Sequence, residues 1–358
     1  MTQNQGSVVT VLGPVAPDEL GPTMMHEHLL VDLGATFAPV DDADLAQYSD
    51  EPVGPELIEL LHRWPFSLTP DNGRLDDEAL AEQEARALVA AGGSALVDCT
   101  IDGIGRDPVA VARLAQATGL HIVQGTGYYV ELAHPPHVSS SGVDEIASHF
   151  VAELTEGIGE TGIRAGIIGE IGTSGIDAAT RTKRGDITPD EEKVLRAAGA
   201  ASVETGAAVT VHLDPRGDGA DRVVDVLAEE GVAPERMVMD HMDARPDLDY
   251  HLRIAARGVF VEYDHFGREY YAPHMGEGER YTQDSRRIEL LVELVERGHT
   301  AQLLVSQDVC AKIDLHRHGG NGYDHVLLRI VPRLREAGLD DAALRAILVD
   351  NPRRALAF

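Results

Sequence analysis

The chain has 358 residues, of which 43% are hydrophobic, and a formal net charge of −30 at pH 7. Such a length fits one large barrel domain or two smaller domains. A surface this acidic is repelled by a phosphate backbone, and no basic stripe offsets it, so nucleic acid is excluded as a partner. The N-terminus lacks a basic and apolar leader, and no run of about 18 apolar residues occurs. We therefore expect a soluble, cytoplasmic protein with no membrane partner.

Short apolar runs alternate with helix-like segments along the chain. The runs span residues 23–32, 94–100, 121–129, 164–172, 207–214, 236–241, 258–264 and 301–308, which makes eight. A β-like lead-in, residues 1–22, precedes them, and most helix-like segments end in glycine, as helices often do. Strands that alternate with helices pair in parallel, and eight such units close into an α/β barrel, the (β/α)8 or TIM barrel.

The alternation continues without a long linker or a low-complexity segment, so residues 1–358 are predicted to form a single domain. An open, doubly wound sheet is the alternative. The first strand, however, is not followed by the G-x-G-x-x-G motif of dinucleotide-binding sheets. The longest irregular region, residues 34–74, follows strand 1 and is expected to lie over the mouth of the barrel.

Potential metal ligands end five of the predicted strands, where active sites of such barrels lie. Strand 1 carries His26 and His28, and the alternation of an extended strand places both imidazoles on one face. The other ligands are Glu170, His212, His241 and Asp308, on strands 4, 5, 6 and 8. Imidazoles and carboxylates suit two divalent ions, Zn²⁺ first, with Mn²⁺, Co²⁺ or Fe²⁺ as alternatives. Each residue alone could be an ordinary core or capping residue, but their joint placement favours a binuclear centre.

Several sequence blocks resemble the phosphotriesterase-like family of the amidohydrolase superfamily along nearly the whole chain. They are TVLGPVAPDELGPTMMHEHLLVD, AGIIGEIGTS, VTVHLD, MDHMD, SQDVCAK, GGNGYDH and NPRRALAF. The resemblance implies that His26 and His28 bind the more buried ion together with Asp308. It also implies that His212 and His241 bind the more exposed ion.

The sequence departs from many members of that family at strand 4. Those members bridge the ions with a carbamylated lysine, whereas this chain has Glu170 there. Its lysines, Lys183, Lys193 and Lys312, all lie elsewhere. A glutamate bridge resembles the branch of phosphotriesterase-related proteins, and its shorter side chain should draw the ions toward strand 4.

A binuclear centre of this kind predicts a hydrolase. Two divalent ions depress the pKa of a bound water toward about 7, which supplies a bridging hydroxide at neutral pH. Asp308 is placed to take the proton of this hydroxide and pass it to the leaving group. We expect attack on the carbonyl of a lactone, a carboxylic ester or an amide. The alternatives are hydrolysis of an organophosphate triester at the same site, and a metal-bound binding protein without turnover, which the retention of Asp308 disfavours.

Loops after strands 3, 7 and 8 carry polar residues that could contact a small-molecule substrate. They are Tyr128, Tyr129, His265, Arg268, Lys312, Arg317 and His318. Each could equally be a solvated loop residue. Cationic groups beside the metal pair would favour a substrate with an acidic tail, which would need them in so negative a field. A homodimer is compatible with these features.

Overall fold

A computed structural model of the chain describes residues 6–215, 217–271 and 281–358. Its main sheet has eight strands, and neighbours in the sheet follow the order of the chain. They are β1 (Thr23–Glu27), β2 (Ala95–Asp98), β3 (His121–Thr126), β4 (Ile167–Thr173), β5 (Val209–Leu213), β6 (Met237–Met239), β7 (Phe260–Tyr263) and β8 (Leu303–Val305). Neighbouring strands pair in parallel. Each predicted run coincides with one strand of this sheet, although β4 extends one residue beyond its run, and the fold prediction of a (β/α)8 barrel is confirmed.

Hydrogen bonds just beyond the last strand join the two edges of the sheet. The backbone N–H of Asp308 donates to the carbonyl of His26 at 3.1 Å, and the N–H of His28 donates to the carbonyl of Val309 at 3.3 Å. The hydroxyl of Ser306 accepts the N–H of His26 at 3.0 Å. These contacts close the barrel, and they fix three of the predicted ligands side by side.

Helices connect the strands and pack outside them. They are α1 (Glu78–Ala90), α2 (Pro108–Thr118), α3 (Val143–Thr155), α4 (Pro189–Thr205), α5 (Ala220–Glu229), α6 (Leu248–Ala255), α7 (Asp284–Glu296), α8 (Val331–Glu336), α9 (Asp341–Arg345) and α10 (Asn351–Leu356). π-helical turns, Val326–Ile330 and Ala346–Asp350, precede α8 and α10. Over the residues that the structure describes, none of the helices has the length and hydropathy that a membrane span requires.

Short antiparallel hairpins lie outside the barrel sheet. They pair Val8–Thr10 with Gly13–Val15, Val31–Asp32 with Arg74–Leu75, and Ile176–Asp177 with Thr182–Lys183. The first hairpin belongs to the β-like lead-in. Its Val8 joins Leu20, Leu356 and strand residues such as Val97 and Phe260 in one buried apolar cluster. The lead-in and the C-terminal helix therefore pack together against the strands.

The irregular region of residues 34–74 packs at the carboxyl end of the strands, as expected. It contains the helix Ile58–Leu61 and the short turns Gly34–Thr36, Ala46–Tyr48 and Pro70–Gly73. Its Leu57, Leu61 and Leu68 form an apolar cluster with Ala311 and Ile313 from the loop after β8. This small core holds the region against the loop that follows Asp308.

Candidate metal centre

A cavity of about 620 Å³ opens at the carboxyl ends of the strands, and its floor is built by the predicted ligands. Five of the six line it, namely His28, Glu170, His212, His241 and Asp308. The sixth, His26, is fully buried beneath them. The structure therefore brings all six predicted ligand side chains to one place, although they come from five different strands.

One half of the centre is formed by β1, β4 and the segment after β8. His28 Nε2 lies 3.2 Å from Glu170 Oε1 and 3.4 Å from Asp308 Oδ1. His26 Nε2 lies 3.5 Å from Glu170 Oε2 and 3.9 Å from Asp308 Oδ1. Two imidazoles and two carboxylates thus point their free atoms at a common space.

The other half is formed by β4, β5 and the loop after β6. His212 Nδ1 lies 3.0 Å from Glu170 Oε2 and 2.7 Å from His241 Nε2. His241 Nε2 lies 3.8 Å from the same carboxylate oxygen. Glu170 is therefore shared by the two halves, which is the position that a bridging ligand must have.

The donor set fits a pair of divalent ions. Neither ring nitrogen of His26 forms a hydrogen bond with any described residue, although the side chain is buried, and buried polar groups are rarely left unpaired. The atoms of His26, His28 and Glu170 converge closely enough to hold one ion, and so do those of Glu170, His212 and His241. Imidazole and carboxylate are the usual ligands of Zn²⁺ and similar ions.

Outer residues fix the orientation of the imidazoles. Nδ1 of His241 contacts Asp264 Oδ1 at 3.0 Å, and Nδ1 of His28 contacts Thr100 Oγ1 at 2.9 Å. A histidine held at one nitrogen by an oxygen presents the other nitrogen as a ligand, and such partners also tune its basicity. In both residues the nitrogen left over is Nε2, which faces the centre.

Two of the ligands have left-handed backbone conformations. The φ angles are 59° for His241 and 51° for Asp308. Non-glycine residues adopt this region infrequently, and such conformations cluster at functional sites because the surrounding contacts must impose them. Here His241 lies two residues beyond the end of β6 and Asp308 three residues beyond the end of β8, so the backbone turns where the side chain enters the centre.

Asp308 is held as a carboxylate by two cationic or polar partners. Arg268 Nη1 lies 2.7 Å from Asp308 Oδ2, and His265 Nε2 lies 3.3 Å from the same oxygen. Burial alone would raise the pKa of Asp308, but the Arg268 charge and the His265 contact lower it well below its usual range. Burial lowers the pKa of His265 to about 3, so this imidazole is neutral and donates its Nε2–H to the carboxylate.

The predicted substrate-contact residues divide into two groups. Tyr129, His265 and Arg268 line the cavity. The remaining four, Tyr128, Lys312, Arg317 and His318, are not among the described residues that line it. Substrate contact at these four positions stays a prediction. The hydroxyl of Tyr128 lies 2.8 Å from His137 Nε2. The side chain of Tyr128 therefore contacts His137 and does not share the cavity position of its neighbour Tyr129.

The loop after β8 turns away from the cavity after Cys310. Lys312 Nζ donates to Asp71 Oδ1 at 2.6 Å, and this ion pair ties the loop to the region of residues 34–74. Arg317 and His318 belong to the following turn, His316–His318, which is anchored to α1 by Glu84. The Lys312 ammonium therefore serves the packing of this loop, while Arg317 is exposed and bonded to Glu84 through its backbone N–H.

Sequence reasoning missed several residues of the site. Asp264 orients His241, and Arg245 lines the cavity. Asp240 and Glu262 are buried below the centre, where Asp240 Oδ2 lies 3.5 Å from His26 Nδ1. A usable signal was present for two of these residues, since the pairs Asp240–His241 and Asp264–His265 both stand at strand ends.

Comparisons with known proteins cover nearly the whole chain. The profile of the phosphotriesterase family matches residues 6–356. The N-acetyltaurine hydrolase of Homo sapiens is 34% identical over 361 residues, covering 100% of both chains. Among solved structures, a resiniferatoxin-binding protein from Rhodobacter sphaeroides has a TM-score of 0.92 and 37% identity, covering 98% of this chain and 95% of that chain. A lactonase from Listeria monocytogenes has a TM-score of 0.76 and 25% identity, covering 98% of this chain and 99% of that chain.

Proposed function

Because this chain belongs to the phosphotriesterase family and is a hydrolase, we propose that it is a metal-dependent enzyme that cleaves carboxylic amides. The observation that carries the proposal is the shared position of Glu170 between two groups of histidines. The human relative supports an amide as substrate, because its name describes hydrolysis of an N-acetyl amide. Its similarity extends over the full length of both chains.

The residues present would hold two divalent ions, most naturally Zn²⁺. His26, His28 and Asp308 would hold one, His212 and His241 the other, and Glu170 would bridge them. When bound, such ions lower the pKa of a water molecule toward about 7 and polarise a carbonyl oxygen. The structure contributes a floor of mostly buried side chains for these ions.

Asp308 is the group placed to move protons. Its carboxylate is ionised and borders the cavity, so it can accept a proton from the attacking water and deliver it to the leaving amine. Arg268 and His265 hold Oδ2 and leave Oδ1 directed toward His28. Burial raises the pKa of Tyr129 well above its usual range, so its hydroxyl stays protonated and can donate to a substrate oxygen.

The cavity wall also carries apolar side chains. Among them are Leu33 after β1, Phe66 from the region of residues 34–74, and Tyr281 after β7. They lie beside the polar floor and would exclude water from a bound substrate. An apolar acyl group would therefore be accommodated against this wall, with the amide carbonyl at the ligand residues.

Lactone hydrolysis is the second candidate. It is favoured by the similarity to the lactonase, and it needs the same nucleophile and proton carrier. Hydrolysis of organophosphate triesters ranks below both, because Glu170 stands where many triester-cleaving members would place a lysine. A binding protein without turnover ranks last, because the relatives of this chain include the human hydrolase, which is similar over the full length of both chains.

Metal analysis and a substrate panel test the proposal together. We expect close to two divalent ions per chain, and prolonged chelation should abolish activity that added Zn²⁺, Mn²⁺ or Co²⁺ restores. The panel should contain N-acyl amino acids, a lactone, an aryl ester and one phosphotriester, and we expect the highest kcat/KM for an amide. Full activity of the metal-free protein would contradict metal dependence, and a preference for the lactone would select the second candidate.

A further inference from the structure

We propose that Arg245 forms an anion-binding subsite that holds an acidic tail, a carboxylate or a sulfonate, on the amine half of the substrate. The inference rests on the proposed amide hydrolysis and assigns a substrate class to the same site. It starts from the described residues that line the cavity, of which two carry a guanidinium, Arg245 and Arg268.

Arg268 is committed to the centre itself. It is 5% exposed, and it forms an ion pair of 2.7 Å with Asp308. Its other guanidinium nitrogen contacts the sulfur of Cys310 at 2.8 Å. Binding a substrate anion here would require separation from Asp308, so Arg245 is the better candidate of the two.

The backbone that presents Arg245 is fixed. Its carbonyl accepts Nε2–H of His251 at 2.8 Å and the N–H of Asp247 at 2.8 Å. The preceding carbonyl, of Ala244, accepts the hydroxyl of Thr282 at 3.1 Å. Arg245 follows the ligand His241 by four residues, so a rigid loop links the proposed subsite to the centre.

The guanidinium of Arg245 can still bind an anionic ligand, because its contacts within the protein are loose. Its contacts are with the carbonyl of Gly217 at 3.4 Å, Asp218 at 3.6 Å and Asp247 at 3.6 Å. Charge-assisted pairs of good geometry are about 2.7–2.9 Å long, so these contacts are loose. The guanidinium carbon lies 5.3 Å from the ring centre of Tyr250, and the side chain is 36% exposed. It is therefore oriented by its neighbours without being saturated by them.

The charge of the protein makes such a subsite necessary for an acidic substrate. A chain with net charge −30 repels anions unless a local cation receives them. The planar guanidinium matches the paired oxygens of a carboxylate or a sulfonate. Arg245 lies in the loop after β6, which also carries His241, and Pro215 lies in the loop after β5, the strand that carries His212. Leu33 lies on the β1 side, so an acyl group toward β1 would direct the amine tail toward Arg245.

A matched pair of variants tests the subsite. Arg253 lies 5.2 Å from the same Tyr250 ring, pairs with Asp221 at 2.9 Å, and is not among the described cavity-lining residues. We would compare Arg245→Met and Arg253→Met on N-acetyltaurine, N-acetyl-β-alanine and the neutral N-acetyl-β-alaninamide. Arg245→Met should raise KM about 10- to 100-fold for the two anions, because hydrogen bonds to charged groups are lost, and about 2-fold or less for the neutral amide. Arg253→Met should change none of these values.

Two further variants test whether the KM for the anionic substrates depends on the charge and geometry of residue 245 and on its acidic neighbour. Arg245→Lys should retain part of the affinity, since it keeps the charge and loses the planar geometry. Asp218→Asn should lower KM for the anions, because it removes an exposed carboxylate that competes for Arg245. A difference between N-acetyltaurine and N-acetyl-β-alanine would show whether a sulfonate or a carboxylate is preferred.

The outcomes separate this inference from the proposed function. An equal loss for anionic and neutral amides in Arg245→Met would overturn the subsite and leave amide hydrolysis intact. If the wild-type protein cleaved none of the amides, the proposed function would fail. Calorimetric binding of N-acetyltaurine to the metal-loaded wild-type and Arg245→Met proteins would then decide the subsite. Binding that does not weaken in the variant would overturn it.

Discussion

The Glu27 carboxylate accepts the backbone N–H of Val309 at 2.9 Å through Oε2, and so holds the segment that presents Asp308. Its Oε1 accepts the hydroxyl of Ser306 at 2.6 Å and the backbone and side-chain N–H groups of Gln307 at 2.9 and 2.7 Å. Glu27 stands between the predicted ligands His26 and His28, and its side chain points away from them. It therefore links the end of β1 to the segment after β8 that carries Asp308.

Glu27→Gln should lower the metal content and turnover as well as stability. The amide replaces one acceptor oxygen by a donor that faces backbone or side-chain N–H groups, and a buried unpaired group costs about 1–3 kcal/mol. The displaced segment would move Asp308, so fewer ions should be retained. Metal stoichiometry and denaturant unfolding on one sample give both values.

Glu84→Gln is the matched control for that variant. Glu84 is a buried carboxylate that accepts the N–H groups of His316 and Arg317 at 3.1 and 3.0 Å, away from the ligands. Its loss should cost stability while the metal content stays near the wild-type value. Full metal content and turnover in Glu27→Gln would show that Glu27 acts on stability alone.

Asp308→Asn tests proton transfer separately from metal binding. The amide keeps an oxygen that can ligate, but it cannot accept a proton, so kcat should fall by roughly 10² or more while much of the metal remains. The loss should appear in kcat more than in KM. A metal-loaded Asp308→Asn protein with unchanged kcat would remove the proposed role of this residue.

The strands, and the convergence of the six predicted ligand side chains, could be predicted because each depends on a local pattern. A short apolar run that ends in histidine, glutamate or aspartate reports both a strand and a side chain at its carboxyl end. The barrel then brings these ends together, as it does for Glu170 and Asp308. The direction of each loop after the strand is not encoded in such a pattern. Lys312 was therefore expected at the cavity, although its ion pair with Asp71 belongs to the packing of the mouth region.

The sequence pattern also does not predict which polar residues on the helices are buried. His251 in α6 is fully buried, although a lone histidine on a helix is ordinarily expected to be solvated. Its Nδ1 accepts the hydroxyl of Tyr263 at 2.6 Å, and its Nε2 donates to Arg245. The packing of α6 against β7 supplies Tyr263, and the loop before α6 supplies the Arg245 carbonyl. Nothing in the spacing of the helix distinguishes His251 from a solvated histidine.

His251 predicts a pH dependence of stability. Burial lowers its pKa in the folded protein from 6.5 to about 4. Between these values the unfolded chain binds a proton that the folded protein does not, so the free energy of unfolding should fall as the pH falls from about 6.5 to about 4. His251→Gln keeps a donor for Arg245 and cannot titrate, so its decline over this window should be shallower. Denaturant unfolding at several pH values compares the two proteins. Parallel declines would contradict the assignment.

Glu170 predicts that metal loading is independent of carbon dioxide. A carbamylated lysine forms only when CO₂ or bicarbonate is present, whereas a glutamate is permanently in place. Apo protein should therefore recover the same metal content and activity with and without bicarbonate. Recovery that requires bicarbonate would mean that another bridge exists.

Glu170→Gln should be more damaging than loss of a single peripheral ligand. An amide cannot offer an anionic oxygen to each of two cations, so their mutual repulsion is uncompensated and at least one ion should be lost, with activity falling accordingly.

The alternative role of Glu170 is structural, since its pKa is depressed well below the usual range by the neighbouring His26 and His212 even though burial would raise it. That role predicts lower thermal stability with an intact pair of ions. His212→Asn, which removes one peripheral ligand, is the comparison. Measuring metal stoichiometry and thermal stability on the same Glu170→Gln sample separates the two roles, and two retained ions with full activity would place the bridge elsewhere.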